Sequence, residues 1–424
     1  MRKLVVIDIA GLSPRMVGGS AQTLASLGDV APLESPFPAV TSTVQATFTT
    51  GRDASGHGIV ANGFYFKDLG RTSFWEQADS LVTAPKVWET AAGRDRSFKS
   101  AMLFWQNSIG SANDVVLTPA PIHEPDGRIV SSCYSKPGGL YDELARELGE
   151  FPLARYWGPM ASFESTDWIA RATARVIESF APNLTLTYLP ALDYSLQRFG
   201  YPSEPVETDL ALLDRAVALI SQAARSIGAD VMALSEYGIE NVSGDVPVNR
   251  FLREAGLLAI RLVGGGEYLD FAASRAFAVV DHQVAHVYAR ADSVERAAEV
   301  LRNAEGVERV LAGSQRRSLG IDHPRAGDVV AVAAQGRWFS YPWWSEAVRA
   351  PAFARAVDIH AKPGYDPLEL FIDPAKRSIA SDPALVKGSH GRPASAMTGV
   401  HIWRNGKAPG ATGVAGEILD FIFS

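Results

Sequence analysis

Leu4-Val5-Val6-Ile7-Asp8 is an apolar, β-branched run that ends on a carboxylate. A run that is continuously apolar, and not alternating, suits a strand covered on both faces. Two further runs share the pattern: Leu184–Leu189, leading to Asp193, and Val231–Leu234, leading to Ser235-Glu236. Between them, Ser165–Phe180 and Glu207–Ser226 carry apolar residues at helical spacing. Strand and helix in alternation predict an α/β fold, a mostly parallel sheet with helices on both faces. Ligands of such sheets sit at the carboxyl ends of the strands. Asp8, Asp193 and Glu236 all fall there.

The composition agrees with a large buried core. Of 424 residues, 47 % are hydrophobic and 21 % charged, which argues against disorder. The net charge is −7 and no basic block exists, so a grip on a nucleic-acid polymer is not expected. A small phosphorylated substrate stays compatible, because a local metal ion outweighs a mildly acidic surface. The single cysteine, Cys133, excludes an intrachain disulfide and a thiolate cluster. No apolar run reaches the ~18–20 residues of a membrane span. Met1-Arg2-Lys3 and the short run after it lack the features of a signal peptide. The expectation is a soluble cytoplasmic protein, with the oligomeric state open.

From about Arg275 the texture changes to strand (Ala285–Ala289), helix (Ser293–Asn303) and strand (Val307–Leu311). The reading is a core over residues 1–270 and a small α+β cap over 271–325. A return to the core over 326–424 would begin with Gly327–Ala333 as a core strand. An irregular, Gly-, Ser- and Pro-rich stretch covers Ser381–Pro409.

Phe37-Pro38-Ala39-Val40-Thr41 opens a second informative segment, which continues through Thr50-Gly51 to His57-Gly58-Ile59-Val60-Ala61-Asn62. A hydroxyl at a helix N-terminus is well placed as a nucleophile, since backbone N–H groups there favour an anion. A nearby side-chain amide can bind charge developing on a transferred phosphoryl group. Thr41 and Asn62 fit these roles; a Thr-rich capping turn is the plainer alternative, as an Asx-turn is for Asp8.

Together these residues resemble the nucleotide pyrophosphatase/phosphodiesterase branch of the alkaline phosphatase superfamily, with phosphonoacetate hydrolase-like relatives. Order and spacing match without a gap across residues 37–62. The resemblance implies that Thr41 forms a covalent phosphoryl or nucleotidyl intermediate, that Asn62 orients a non-bridging oxygen, and that Asp8 and Thr41 touch one metal. Pro190-Ala191-Leu192-Asp193-Tyr194-Ser195-Leu196-Gln197 is similar to the family's Pro-Asp-x-x-x-His ligand pair, with Gln197 at the His position. Ser235-Glu236-Tyr237-Gly238 is similar to its Ser-Asp-His-Gly, with Glu236 for Asp and Tyr237 for His. Ser389-His390-Gly391 is similar to its last ligand.

The implied cofactors are two divalent metal ions, zinc by family default. The oxygen-rich set could shift that preference to Mn, Mg or Fe. Substitute ligands are sought in Asp281-His282 and in His360. Trp105 is a candidate pocket wall, with core packing as the favoured alternative, and Arg392 is either a phosphate contact or a surface salt-bridge partner. The aromatic run Trp338–Trp344 either stacks on substrate or packs the cap. His57, His123, His286, His323 and His401 are read as structural. The implied function is metal-dependent hydrolysis of a phosphate ester, most simply a phosphodiester or nucleotide pyrophosphate. A phosphonate or phosphomonoester hydrolase on the same core is one alternative, and a non-catalytic phospho-ligand binder is the other.

Overall fold

The computed structural model describes residues 1–126, 128–393, 398–406 and 410–424. In chain order its principal strands are β1 (Leu4–Ile9), β2 (Asp29–Leu33), β3 (Ser100–Leu103), β4 (Val115–Pro119), β5 (Cys133–Lys136), β6 (Leu184–Leu189), β7 (Asp230–Leu234), β8 (Ala276–Asp281), β9 (Val284–Ala289), β10 (Val307–Ala312), β11 (Val329–Ala333), β12 (Gly388–Ser389) and β13 (Gly399–Trp403). The helices used below are α1 (Thr41–Thr50), α2 (Phe163–Phe180), α3 (Ala191–Phe199), α4 (Glu204–Ser226), α5 (Val294–Arg302) and α6 (Val414–Phe423).

Eight strands form the central sheet in the order β2-β13-β7-β1-β6-β3-β4-β5. The five inner strands β7, β1, β6, β3 and β4 are parallel, and the outer β13, β2 and β5 are antiparallel additions. The period of two along β1 sorts its side chains between two cores. Val5, Ile7 and Ile9 pack toward α2 and α4, whereas Leu4 and Val6 pack toward α1 and α6. Asp8 shares the parity of Leu4 and Val6, which sends its carboxylate to the face that carries α1.

A second lobe is built on a four-stranded antiparallel sheet, β8-β9-β11-β10, with α5 against it and its own apolar core. The strand–helix–strand expected in this region is present as β9, α5 and β10. Two boundaries differ from the sequence reading. Val329–Ala333 is not a core strand; it pairs with both β9 and β10 inside the second sheet. The helix Val248–Glu254 also belongs to this lobe, since Val248 and Leu252 lie in its core. An apolar strand run carries no label saying which sheet it joins, and that choice was made by pairing. Phe339, Tyr341 and Trp343 are buried in the core of this lobe and Trp338 packs on Val242 and Val386, so the aromatic run serves as packing. The irregular stretch expected over Ser381–Pro409 lies partly outside the described residues; its described part contains β12 and β13.

Candidate active site

The adjacent strands β6, β1 and β7 end side by side, with Asp8 in register with Tyr188 and Leu234. Their carboxyl ends deliver Asp8, then Asp193 on α3, then Glu236 and Tyr237. α1 supplies Thr41 as its first residue. Five of the ten residues of α1 are Thr, which gives it weak intrinsic propensity. It persists because it is almost wholly buried, because the hydroxyls of Thr47, Thr49 and Thr50 bond back to carbonyls one turn earlier, and because Gly51 closes it at φ 67°.

Four side chains share one arrangement: each spends one polar atom on being oriented and leaves a second, buried atom without a partner. Asp8 Oδ2 accepts from Gln45 Nε2 at 2.8 Å, and Asp8 Oδ1 is free. Glu236 Oε1 accepts from the same amide at 3.3 Å, and Oε2 is free. Asp193 Oδ2 accepts from Gln197 Nε2 at 2.6 Å, and Oδ1 is free. His390 Nδ1 lies 2.7 Å from the Ala39 carbonyl, which can only accept, so Nδ1 carries the proton and Nε2 offers a lone pair. The two halves approach where His390 Nε2 lies 3.6 Å from Asp193 Oδ1. Among the described residues no three His, Cys, Asp or Glu side chains form a ready cage. As oxygen and imidazole donors with a lone pair to spare, the four orphaned acceptors are of the type that suits divalent cations, Asp8 with Glu236 through their shared Gln45 and Asp193 with His390.

The orientation of Gln45 follows from its other end. Its Oε1 accepts from the Gln106 backbone N–H at 2.8 Å, so the NH₂ group must face the two carboxylates. Asn62 is fixed in the same way: Oδ1 accepts from Ser42 N–H at 2.9 Å and Nδ2 donates to Asp281 Oδ1 at 3.2 Å. One amide hydrogen of Asn62 remains for a ligand. Thr41 Oγ1 and the Tyr237 hydroxyl are 2.8 Å apart. The Tyr237 ring stacks on His390 at 3.6 Å, and His282 lies between His390 and Tyr365 at 3.8 Å from each. Tyr365 donates to Gln197 Oε1 at 2.8 Å.

Burial dominates the electrostatics. It pushes Asp8 up to about 8 and Asp193 up to about 7, and raises Glu236 well above its ordinary range, with the neighbouring Asp8 adding to the effect. It pushes His390 down to about 3 and also lowers His282, which His390 depresses further. In each case burial favours the uncharged form, and perturbed groups gathered in this way mark a candidate functional site.

Several candidates lie elsewhere or act otherwise than the sequence suggested. Asp281 has both oxygens engaged by Asn62, Oδ2 by its N–H at 2.8 Å, so it orients Asn62 and is not free to ligate. His360 is exposed, 6.2 Å from the His123 ring, because its loop turns Tyr365 to the centre in its place. Trp105 is buried in the core beneath α1, and its neighbour Gln106 reaches the cavity. Arg392 bonds Glu308 at 2.7 Å and the Ala333 carbonyl at 2.5 Å, which removes it from any phosphate. His286 is the satisfied core residue expected, between the Val60 carbonyl and Gly327 N–H. Sequence reasoning missed Gln45 and Tyr365. Gln45 stands one helical turn after Thr41, so that spacing signalled a shared face; nothing local signals Tyr365.

Thr41, Tyr237 and Asp193 open into a cavity of about 220 Å³, walled by Trp75, Tyr156, Trp157 and Tyr194 with Leu153 and Ile359.

No curated protein is matched by sequence. Among solved structures, phosphonoacetate hydrolase from Sinorhizobium meliloti 1021 in complex with phosphonoformate is similar at 14 % identity and a TM-score of 0.65, over 99 % of this chain and 96 % of that one. Murine ectonucleotide pyrophosphatase/phosphodiesterase 5 is similar at 14 % identity and a TM-score of 0.62, over 100 % and 95 %. These two likenesses show the alkaline-phosphatase-like α/β fold. The family model of type I phosphodiesterase/nucleotide pyrophosphatase matches residues 4–366, and with that the chain belongs to the type I phosphodiesterase/nucleotide pyrophosphatase family.

Proposed function

We propose that the protein hydrolyses a phosphate ester, a phosphodiester or nucleotide pyrophosphate bond, through a covalent intermediate on Thr41. The observation that carries this reading is the set of four oriented side chains around Thr41, each with one buried atom left unpartnered. Thr41 Oγ1 attacks phosphorus, forming the Oγ–P bond as the ester P–O bond breaks. Its proton passes to the Tyr237 oxygen at 2.8 Å. As the phenol takes up that proton it releases its own, which ends on the departing ester oxygen and balances the step. Asn62 uses its remaining amide hydrogen on a non-bridging oxygen. The N-terminus of α1 favours the negative charge there. Water then attacks phosphorus and releases Thr41. Divalent cations on Asp8, Glu236 and Thr41, and on Asp193 and His390, would supply the Lewis-acid charge for the transferred group and the departing oxygen. Zinc follows the family resemblance, while the oxygen-rich first set suits Mn or Mg.

The test is turnover of bis-p-nitrophenyl phosphate with added Mn²⁺ or Zn²⁺, by wild type and Thr41→Ala. Activity that survives the substitution removes Thr41 as nucleophile. A second reading, a non-catalytic binder of a phosphorylated ligand, is favoured by Gln197 and Tyr237, which spend their polar atoms on protein partners. Saturable binding of the diester by wild type with no turnover under either metal would establish it. A preference for phosphonates or phosphomonoesters in the same assay would move the substrate without moving the nucleophile.

A further inference from the structure

We propose that the substrate of this site is a phosphodiester monoanion with one large apolar ester group, seated in the cavity beside Thr41. The inference rests on Thr41 as the reacting centre. Trp75, Tyr156, Trp157, Tyr188, Tyr194 and Tyr365 bring six aromatic rings to the wall. Leu153, Ile359, Pro119 and Pro121 fill the spaces between them. No lysine or arginine is among the described residues that line it. Of its two histidines, His282 lies between the His390 and Tyr365 rings, and His360 stands at the exposed mouth. Beyond the reacting centre a polyphosphate tail would meet no lysine or arginine on the wall, which disfavours it. A monoanion needs only the charge supplied at the reacting centre.

The polar groups of the wall point the same way. At one side of the cavity Gln77 Nε2 donates to Gln106 Oε1 at 2.6 Å and to the Trp75 carbonyl at 3.2 Å. Gln77 Oε1 is buried without a partner, and the rest of the lining is mostly aromatic and aliphatic. The mouth extends the apolar character. Pro121 leads into the exposed Ile122 (54 %) of a short strand pair that also exposes Ile129 (57 %). Across the mouth, the loop bearing Ile359 exposes Val357 (46 %), and the His123–His360 ring contact shows that the two edges lie together. An ester group longer than the cavity therefore meets aliphatic side chains as it leaves.

The experiment uses the full chain with Thr41→Ala, which separates binding from turnover, and calorimetry in the presence of Mn²⁺. The probes are the p-nitrophenyl diesters of methanol and of hexanol, and the p-nitrophenyl ester of thymidine monophosphate. The hexyl ester should bind at least about 30-fold more tightly than the methyl ester, since each buried methylene contributes severalfold. Its heat-capacity change should be negative. Ile359→Asn and, independently, Leu153→Asn should each erase most of that chain-length gain. Equal affinity for the methyl and hexyl esters, or tighter binding of the thymidine ester, overturns the proposal. Chain-length-dependent binding by a wild type that turns over no diester supports the apolar seat and overturns the hydrolase. Turnover without chain-length dependence does the reverse.

Discussion

Tyr237 places its hydroxyl 2.8 Å from Thr41 Oγ1, and its ring lies flat on His390 with an interplanar angle of 7°. Phenylalanine at this position keeps the stack and removes only the hydroxyl. Tyr237→Phe should therefore lower kcat about 100-fold, within the usual range for a lost proton-transfer group, with the thermal midpoint nearly unchanged. A variant of wild-type kcat would show that the Thr41 proton leaves by another route. Gln45 is the second residue whose chemistry is separable. Its two donors satisfy one oxygen on each of two buried carboxylates, so Gln45→Leu should destabilise the metal-free protein by about 1–3 kcal/mol in urea unfolding. Added Mn²⁺ should restore more stability to the variant than to wild type, and an equal gain in both would separate Gln45 from the cation pair.

Among the elements, β12 and β9 make the clearest cases. A Cβ on Gly388 would strike the Leu196 carbonyl of α3 and come within 2.7 Å of Ile239 Cγ2. Gly388→Ala must therefore push β12 away from α3, and with it His390 away from Asp193. The expected result is a large fall in kcat and in metal affinity in a chain that still shows its far-ultraviolet spectrum; retention of both would mean that the loop absorbs the shift. On β9, His286 is pushed from its ordinary 6.5 to about 4, by burial first, with the Val60 carbonyl opposing and Arg316 assisting. Between those values the unfolded chain takes up a proton that the folded residue refuses. Its contribution to stability is complete above pH 6.5 and is lost as the pH falls to about 4. The stability advantage of wild type over His286→Gln should shrink across that window, and a constant difference would contradict the assignment.

Across the whole molecule, the segment 356–371 ties the two lobes together over the site. Lys362 is fully buried there and bonds Glu369 at 2.6 Å, Asp366 at 2.8 Å and the Ala356 carbonyl at 2.9 Å. From this anchor Tyr365 reaches Gln197 on α3, and Gly364 bridges to Val280 on β8. Removing one partner of a buried ion pair strands the other charges, so Lys362→Met should cost about 3–5 kcal/mol. The loss should appear first as proteolytic cleavage within 356–371, ahead of global unfolding. Cleavage confined to other segments would show that this cluster does not hold the lobes. The turn between β8 and β9 adds a second tie, since Gln283 N–H donates to the His390 carbonyl at 2.9 Å.

What the sequence by itself determined follows from local rules. Leu4–Ile9, Leu184–Leu189 and Asp230–Leu234 are legible because a strand covered on both faces needs uninterrupted apolar residues. Their carboxyl ends then locate Asp8, Asp193 and Glu236, and the spacing from Phe37 to Asn62 places Thr41 at a helix start. Tertiary structure alone decided which distant groups meet. His360 and Tyr365 sit five residues apart in one loop, yet the first is exposed while the second is buried and bonds Gln197 on α3. Val329–Ala333 reads as a strand in any sheet, and its partners were set by the antiparallel pairing of the second lobe. Asp281 looked like a ligand in sequence and became the partner of Asn62, 219 positions away. Residue type and period fix what an element is, whereas the contacts that assign a side chain its work depend on chain segments too far apart for any local pattern to record.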